Sequence, residues 1–596
     1  MQGFTTRPEI RGTFGVATST HWIASAVGFG ILERGGNAFD AAVASGLVLQ
    51  VVEPHLNGPA GDLPAIFHSA ISGKTEVLAA QGSAPAAATI AHYRAQGLEL
   101  IPGSGLLATV VPGAFDGWML MLRDHGSLSL AQVMEPAISY ARDGHPVLPR
   151  VAHTIAGLAE YFASEWPSSY AVWCPKGAAP APNSNFKNPD LARTYQRLVD
   201  LAEVNGGDRA QQIDTARNAW AEGFVAEAIT DYLKTAKVHD VSEQKNSAVL
   251  SAADLADWRA GYEETLSYDY HGWTVHKTQA WSQGPVLLQS LAILKHVDLA
   301  SMDPLGAEFT HVVIEAMKLA YADREAYYGD PDHSAVPMEV LLSEDYNAAR
   351  AALISDQASL QQRPGRVPGF EHQADSYIAR AAQDFGVAEA APQEPTMAHL
   401  TEKRGDTVHL DVIDRWGNMV SATPSGGWLQ SSPVIPGLGF PLNSRAQMFW
   451  LEEGLPTSLA PGRRPRTTLT PSLAEKDGTR LVFGTPGGDQ QDQWQLIWFL
   501  RFVHHGLDLQ AGMDAPLFHS LHFQGSFYPR QALPGEMMIE ASVGAAVIAD
   551  LRHRGHIVTV AEEWTVGRLT AALRHEDGSL QAAATPRLMQ AYAVGR

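Results

Sequence analysis

The chain has 596 residues, 45% hydrophobic and 18% charged, which is long enough to bury a large core and too apolar for a disordered scaffold. Its 43 Lys and Arg against 64 Asp and Glu leave a net charge of −21, a field that repels phosphate backbones and anionic lipid and so disfavours nucleic-acid or membrane-surface binding. The single cysteine, Cys174, can make neither an intrachain disulfide nor a thiolate metal site.

The opening residues MQGFTTRPEI carry neither the basic start nor the apolar run of a secretion signal. No later stretch reaches the roughly 18 apolar residues of a membrane span. The expectation is a soluble, cytoplasmic protein with no metal and no cofactor.

In chain order, residues 23–34 have helical apolar spacing that stops at Gly35-Gly36, a pair suited to a helix end. Asn37 can cap a second helix running through Ala41, Ala42 and Val43 to about Val52, before Pro54. Its small side chains predict close helix packing. The loop LNGPAGD, from Leu56 to Asp62, then leads into residues 63–68. Residues 219–233 read as a helix and 273–276 as a short strand. From 356 to 404 the chain is polar, rich in Pro, Gln and Ala, and predicts a long surface loop or linker.

At Asp406 the pattern changes. Thr407 to Ile413 alternates as a strand, Arg415-Trp416-Gly417-Asn418 reads as a turn, and Met419 to Thr423 returns as a second strand. Strand-like residues 480–483, a turn at Thr485-Pro486-Gly487-Gly488 and a helix from about Asp492 to His504 follow. Strands and helices on both sides of position 407 predict α+β layers in which neither half is complete alone.

A threonine hydroxyl is a poor nucleophile unless a base takes its proton, and a threonine at a chain's start can use its own α-amine, with a reference pKa of about 7.7–8.0. Pattern alone reads Thr407 as a β-branched residue in a sheet and Gly487-Gly488 as a simple turn. The sequence has no G-x-S-x-G elbow, P-loop, G-x-G-x-x-G fingerprint or H-E-x-x-H helix.

The segment DTVHLDVIDRWGNMVSATPS resembles the processing motif of the γ-glutamyltransferase family. The likeness runs, in family order, through ILERGGNAFDAAVASGLVLQVVEP, VPGAFDGW, YADREAYYGDPD, PGRRPRTTLTPS, FGTPGGDQQ and DAPLFHS. It implies a four-layer αββα N-terminal-nucleophile hydrolase, cut between Asp406 and Thr407 into fragments 1–406 and 407–596 that stay associated as one interlocked domain. By the same resemblance Thr407 is nucleophile and base, Ser425 steadies it, Thr423 belongs to the processing group, and the backbone of Gly487 and Gly488 forms the oxyanion hole.

The substrate positions depart from the γ-glutamyl pattern. Gln81 stands where the family has the arginine that grips the glutamyl carboxylate. Gly427 replaces an asparagine, Met448 or Gln447 replaces the acid that holds the α-amino group, and Thr467-Thr468 replace paired serines. Arg445, inside LNSRAQMF, is new, and its fork can hold a carboxylate or serve as an ion-pair partner. This version resembles the branch that includes oxamate amidohydrolase and cephalosporin-acylase-like proteins, and it implies a small amide substrate bearing a carboxylate. A conventional γ-glutamyltransferase or glutathione hydrolase, and a silent single-chain binding relative, are the alternatives; a homo-oligomer is compatible with either. His519 with His522, and His504 with His505, lack the spacing of a metal pair and read as structural.

Overall fold

The computed structural model describes residues 4–382 and 407–596. The first helix spans Trp22–Glu33, and Gly35 beyond it is left-handed (φ 93°). Asn37 caps the helix Ala38–Val52 by accepting from Phe39 and Asp40 N–H, while the Asp40 carboxylate accepts from the Asn37 N–H. Every residue of that helix is buried. Its many alanines and glycine let it lie tightly between the first helix and a sheet.

Two seven-stranded sheets make the middle of the molecule. The first runs Tyr592–Gly595, Gly15–Ser19, Leu410–Asp414, Met419–Ala422, Leu63–His68, Thr75–Ala80 and Gly261–Glu264. The second runs Ile10–Gly12, Leu580–Ala584, Thr570–Arg574, Thr479–Gly484, Ser472–Lys476, Trp273–Lys277 and Leu266–Tyr270. All neighbouring strands in both are antiparallel. Each sheet takes strands from both sides of position 407.

Side-chain alternation builds the layers. On the first sheet Ala17, Ala65, Leu410 and Val412 pack against the amino-terminal helices, while Val16, Ile66, Ile413 and Met419 point the other way. There they meet Leu473, Val482, Ala572 and Leu580 of the second sheet. The far face of the second sheet, including Val275, Leu481 and Phe483, packs on the helices Pro285–Leu294, Ala307–Tyr327 and Gln491–His505. The order is therefore helix, sheet, sheet, helix: the αββα sandwich.

Three local expectations change. The helix expected over 219–233 is two helices, Arg209–Ala221 and Phe224–Leu233, because Gly223 interrupts the ladder. The segment 356–404 is not uniformly irregular: it contains the helix Glu371–Ala381, whose buried Ala374, Tyr377 and Arg380 recur at helical spacing, and residues 383–404 lie outside the described residues. The hairpin strand begins at Leu410 rather than Thr407.

Candidate active site

Pairing across the hairpin sets the site. Leu410 faces Ala422 in an antiparallel register, and Thr407 forms an isolated antiparallel bridge with Ser425. Side chains two residues apart share a face, so Thr407/Ser425, His409/Thr423 and Asp411/Ser421 form three successive cross-strand pairs. Ile413 and Met419, the next pair, lie between the sheets, so this polar ladder also faces the second sheet. All six of its residues are buried.

The ladder is hydrogen bonded within and between its pairs. Thr407 Oγ1 donates to Ser425 Oγ at 3.2 Å. His409 Nδ1 lies 2.9 Å from Thr423 Oγ1, and its Nε2 lies 3.0 Å from Asp411 Oδ1. The other Asp411 oxygen accepts from Thr18 (3.2 Å) and Thr570 (2.7 Å), one hydroxyl from each sheet. A carboxylate that accepts from all three donors places the ring proton on Nε2, so Nδ1 accepts from the Thr423 hydroxyl. Asp411 and His409 were absent from the expected site residues, although the alternation T-V-H-L-D already puts Thr407, His409 and Asp411 on one face.

A second arm comes from the glycine loop. Asp62 pairs with Ser425 through backbone bonds of 2.7 and 3.1 Å. Gly61 permits this approach, since a Cβ there would collide with the Ser425 carbonyl. The buried Asp62 carboxylate accepts from Arg445 Nε on one oxygen and from Gln81 Nε2 (3.3 Å) on the other. Burial pushes the Asp62 carboxyl above its ordinary pKa, and the Arg445 charge opposes that rise. Arg445, 5.0 Å above the Trp428 ring, leaves both terminal nitrogens buried without a partner among the described residues. Trp428 packs with Met448 and Phe527. Arg445 is thus an ion-pair partner of Asp62 through Nε, while its terminal nitrogens stay open.

Gly487 and Gly488, just after the strand Thr479–Gly484, and Thr467 and Thr468, just before the strand Ser472–Lys476, form a neighbouring group at one end of the second sheet. Gln283 joins them, its N–H donating to Thr467 O (2.9 Å) and its amide to Gly488 O (3.3 Å). Gly487 has φ 130°, and a Cβ there would strike the Trp494 ring, so both conformation and space demand glycine. This group reaches the hairpin where Gly484, at the end of the strand leading to Gly487, abuts the His409 ring. The Thr468 hydroxyl is buried and unpartnered among the described residues. Asp406, the other half of the expected processing junction, lies outside the described residues.

The four histidines set aside from sequence have other partners. His504 bonds Tyr270 OH at 2.7 Å, His519 accepts from Trp494 Nε1 at 3.3 Å, and His522 Nδ1 accepts from Gly535 N–H at 2.9 Å. His505 stacks edge-on with Phe309. A different group, His311, Glu315 and His556, has its ligand atoms within 4.8 Å of one another. The Glu315 carboxylate there is already met by Lys318 (2.6 Å) and Arg363 (3.0 Å), two cations that oppose a metal ion. Only folding brings His556 beside the i, i+4 pair, so spacing gave no signal. No described helix is long and apolar enough to cross a membrane.

A family profile, gamma-glutamyltranspeptidase, matches residues 24–595. The chain belongs to the gamma-glutamyltranspeptidase family. Among curated family members it is 30% identical to the glutathione hydrolase-like YwrD proenzyme of Bacillus subtilis (strain 168), covering 97% of this chain and 98% of that one. It is 29% identical to the oxamate amidohydrolase proenzyme of Klebsiella pneumoniae subsp. pneumoniae, covering 96% and 97%. The solved structure of LmbA2991HD superposes over the whole of both chains with a TM-score of 0.91 and 51% identity. These hydrolase and amidohydrolase relatives support an enzymatic activity for the chain.

Proposed function

We propose that the chain is a self-processing N-terminal-threonine amidohydrolase that cleaves an amide of a small carboxylate-bearing substrate through an acyl-enzyme on Thr407. One observation carries the substrate half of this reading. The buried Arg445 fork keeps both terminal nitrogens open while Asp62, its anchor, is paired by backbone to Ser425, the hydrogen-bond partner of Thr407.

In processing, Thr407 Oγ attacks the Asp406 carbonyl, an ester replaces the peptide bond, and water hydrolyses the ester, leaving the Asp406 carboxylate and a free Thr407 amine. In turnover that amine takes the hydroxyl proton as Oγ adds to the substrate amide, and gives it to the departing nitrogen. Backbone N–H groups at Gly487 and Gly488 hold the developing oxyanion. Ser425 fixes the nucleophile's rotamer. Thr467 and Thr468 offer hydroxyls, and Gln81 a neutral amide, around the substrate. Water then releases the acid from Thr407.

Arg445→Met tests the carboxylate contact. Binding of an anionic substrate should weaken by about 1.5–3 kcal/mol, the scale of a charged hydrogen bond, chiefly in KM. The variant must still process for the comparison to count, and unchanged kinetics on every carboxylated amide would remove Arg445 from the site.

The substrate class is tested by assaying processed protein side by side on oxamate, a glutaryl amide, glutathione and a γ-glutamyl anilide. Gln81, Gly427 and Met448 give a zwitterionic glutamyl head no charged partner, and each lost ionic contact costs about tenfold or more. Trace turnover of the two γ-glutamyl compounds is expected. Values of kcat/KM near about 10⁴ M⁻¹s⁻¹ or above on them would instead make the protein a conventional γ-glutamyltransferase.

A further inference from the structure

Behind the Arg445 turn and the Gly487-Gly488 loop lies a buried cluster in which, among the described residues, arginines outnumber acids. Arg324 pairs with Asp489 (2.5 Å) and Glu325 (2.7 Å), and Arg466 pairs with the same Glu325 (2.6 Å). Two further arginines face this group from other elements. Arg530 lies 4.3 Å from the Trp450 ring and donates to the Gln447 and Phe449 carbonyls at 2.6 and 3.0 Å. Arg380, on the helix Glu371–Ala381, lies 5.1 Å from the same ring.

All four guanidiniums belong to buried residues; among the described residues the buried acids facing them are Asp489, Glu325 and, toward Arg324, Asp492, which Lys277 already pairs at 3.0 Å. Glu452, which also faces Arg380, is exposed. Among the described residues Arg530 and Arg380 thus carry two positive charges with no buried acid that is not already paired to Arg324 or Arg466. Nε and Nη1 of Arg380 and Nη1 of Arg530 have no hydrogen-bond partner among the described residues. Burial pulls Arg530 down to about 9, still protonated at neutral pH, so the cluster cannot discharge by losing protons. An uncompensated buried charge is among the costliest features a fold can carry.

We propose that this cluster is a structural anion site, holding one small inorganic anion of chloride size at the open N–H groups of Arg380 with Arg530 as the second charge. Arg530 grips the carbonyls on either side of Met448, and Arg324 grips Asp489, the residue after Gly488. An occupied site therefore braces both the turn that presents Arg445 and the loop that follows the second sheet. The proposal does not depend on the role of Thr407.

The test uses the full protein in two arms. Crystals grown in sodium bromide should show an anomalous bromide peak in contact with Arg380. In solution, replacing gluconate by chloride at fixed ionic strength should raise the melting temperature saturably, and Arg380→Met should remove that rise or weaken the chloride affinity by about tenfold or more. Should Arg380→Met fail to fold, the bromide crystals of the wild type decide alone. A cluster without bromide, or a chloride response identical in wild type and variant, overturns the site.

Discussion

Thr407→Ala is expected to leave the protein as one uncut chain without amidohydrolase activity, whereas the wild type resolves on a denaturing gel into fragments 1–406 and 407–596. The argument is chemical before it is structural. One hydroxyl serves twice, first against the Asp406 carbonyl and then against the substrate, and the base of the second step exists only after the first has freed the α-amine. Loss of the hydroxyl therefore removes both steps, with kcat falling by about 10⁴-fold or more. Thr407 is fully buried with its Oγ1 on Ser425, so replacing it with alanine deletes the hydroxyl that bonds Ser425 and a methyl without exposing the core. Thr407→Ser keeps the hydroxyl and should still cut. Amino-terminal sequencing and intact mass decide the matter: a wild type that stays whole after long incubation at neutral pH, or an alanine variant that yields a fragment beginning at position 407, would sink the reading.

How far the sequence discloses this site depends on how local each piece is. The hairpin was legible because alternation, a Gly-Asn turn and its flanking threonines lie within one short segment, and the register that pairs Thr407 with Ser425 follows from it. The capped helix Ala38–Val52 was legible for the same reason, with Asn37 and Pro54 marking its limits. The Arg445–Asp62 pair was not, since its partners are 383 residues apart and meet only because Gly61 lets one loop lie flat on the other. His409 and Asp411 stood in plain view, but their role depends on Thr18 and Thr570, which arrive from two different sheets. The arginine cluster around Trp450 draws on four segments, and no spacing could have announced it. Residue identity announced the chemistry; long-range pairing chose which residues share it.

Asp411→Asn is expected to slow both self-cleavage and turnover by about tenfold or more, the effect of losing about 1.4 kcal/mol of positioning in the transition state, while leaving the fold intact. The buried carboxylate accepts from His409 Nε2, Thr18 and Thr570. An asparagine of the same shape offers one acceptor oxygen and an NH₂ group, so the three donors can no longer all be satisfied. With the amide nitrogen toward His409 the ring must accept at Nε2 and carry its proton on Nδ1, and Thr423 is then forced to accept where it had donated. With the oxygen toward His409 the tautomer survives but the negative charge is lost, and the imidazole becomes a weaker acceptor for Thr423. Either way the hydroxyl one cross-strand pair below Thr407 changes its hydrogen-bonding sense or strength. Two readouts separate this positioning role from a merely structural one: the cleavage rate of purified precursor, and the His409 tautomer by ¹⁵N NMR, each set against an unchanged melting temperature. Wild-type cleavage and turnover in Asp411→Asn, with the proton still on Nε2, would show that the His409–Asp411 pair is scaffold and that the nucleophile is set by Ser425 alone.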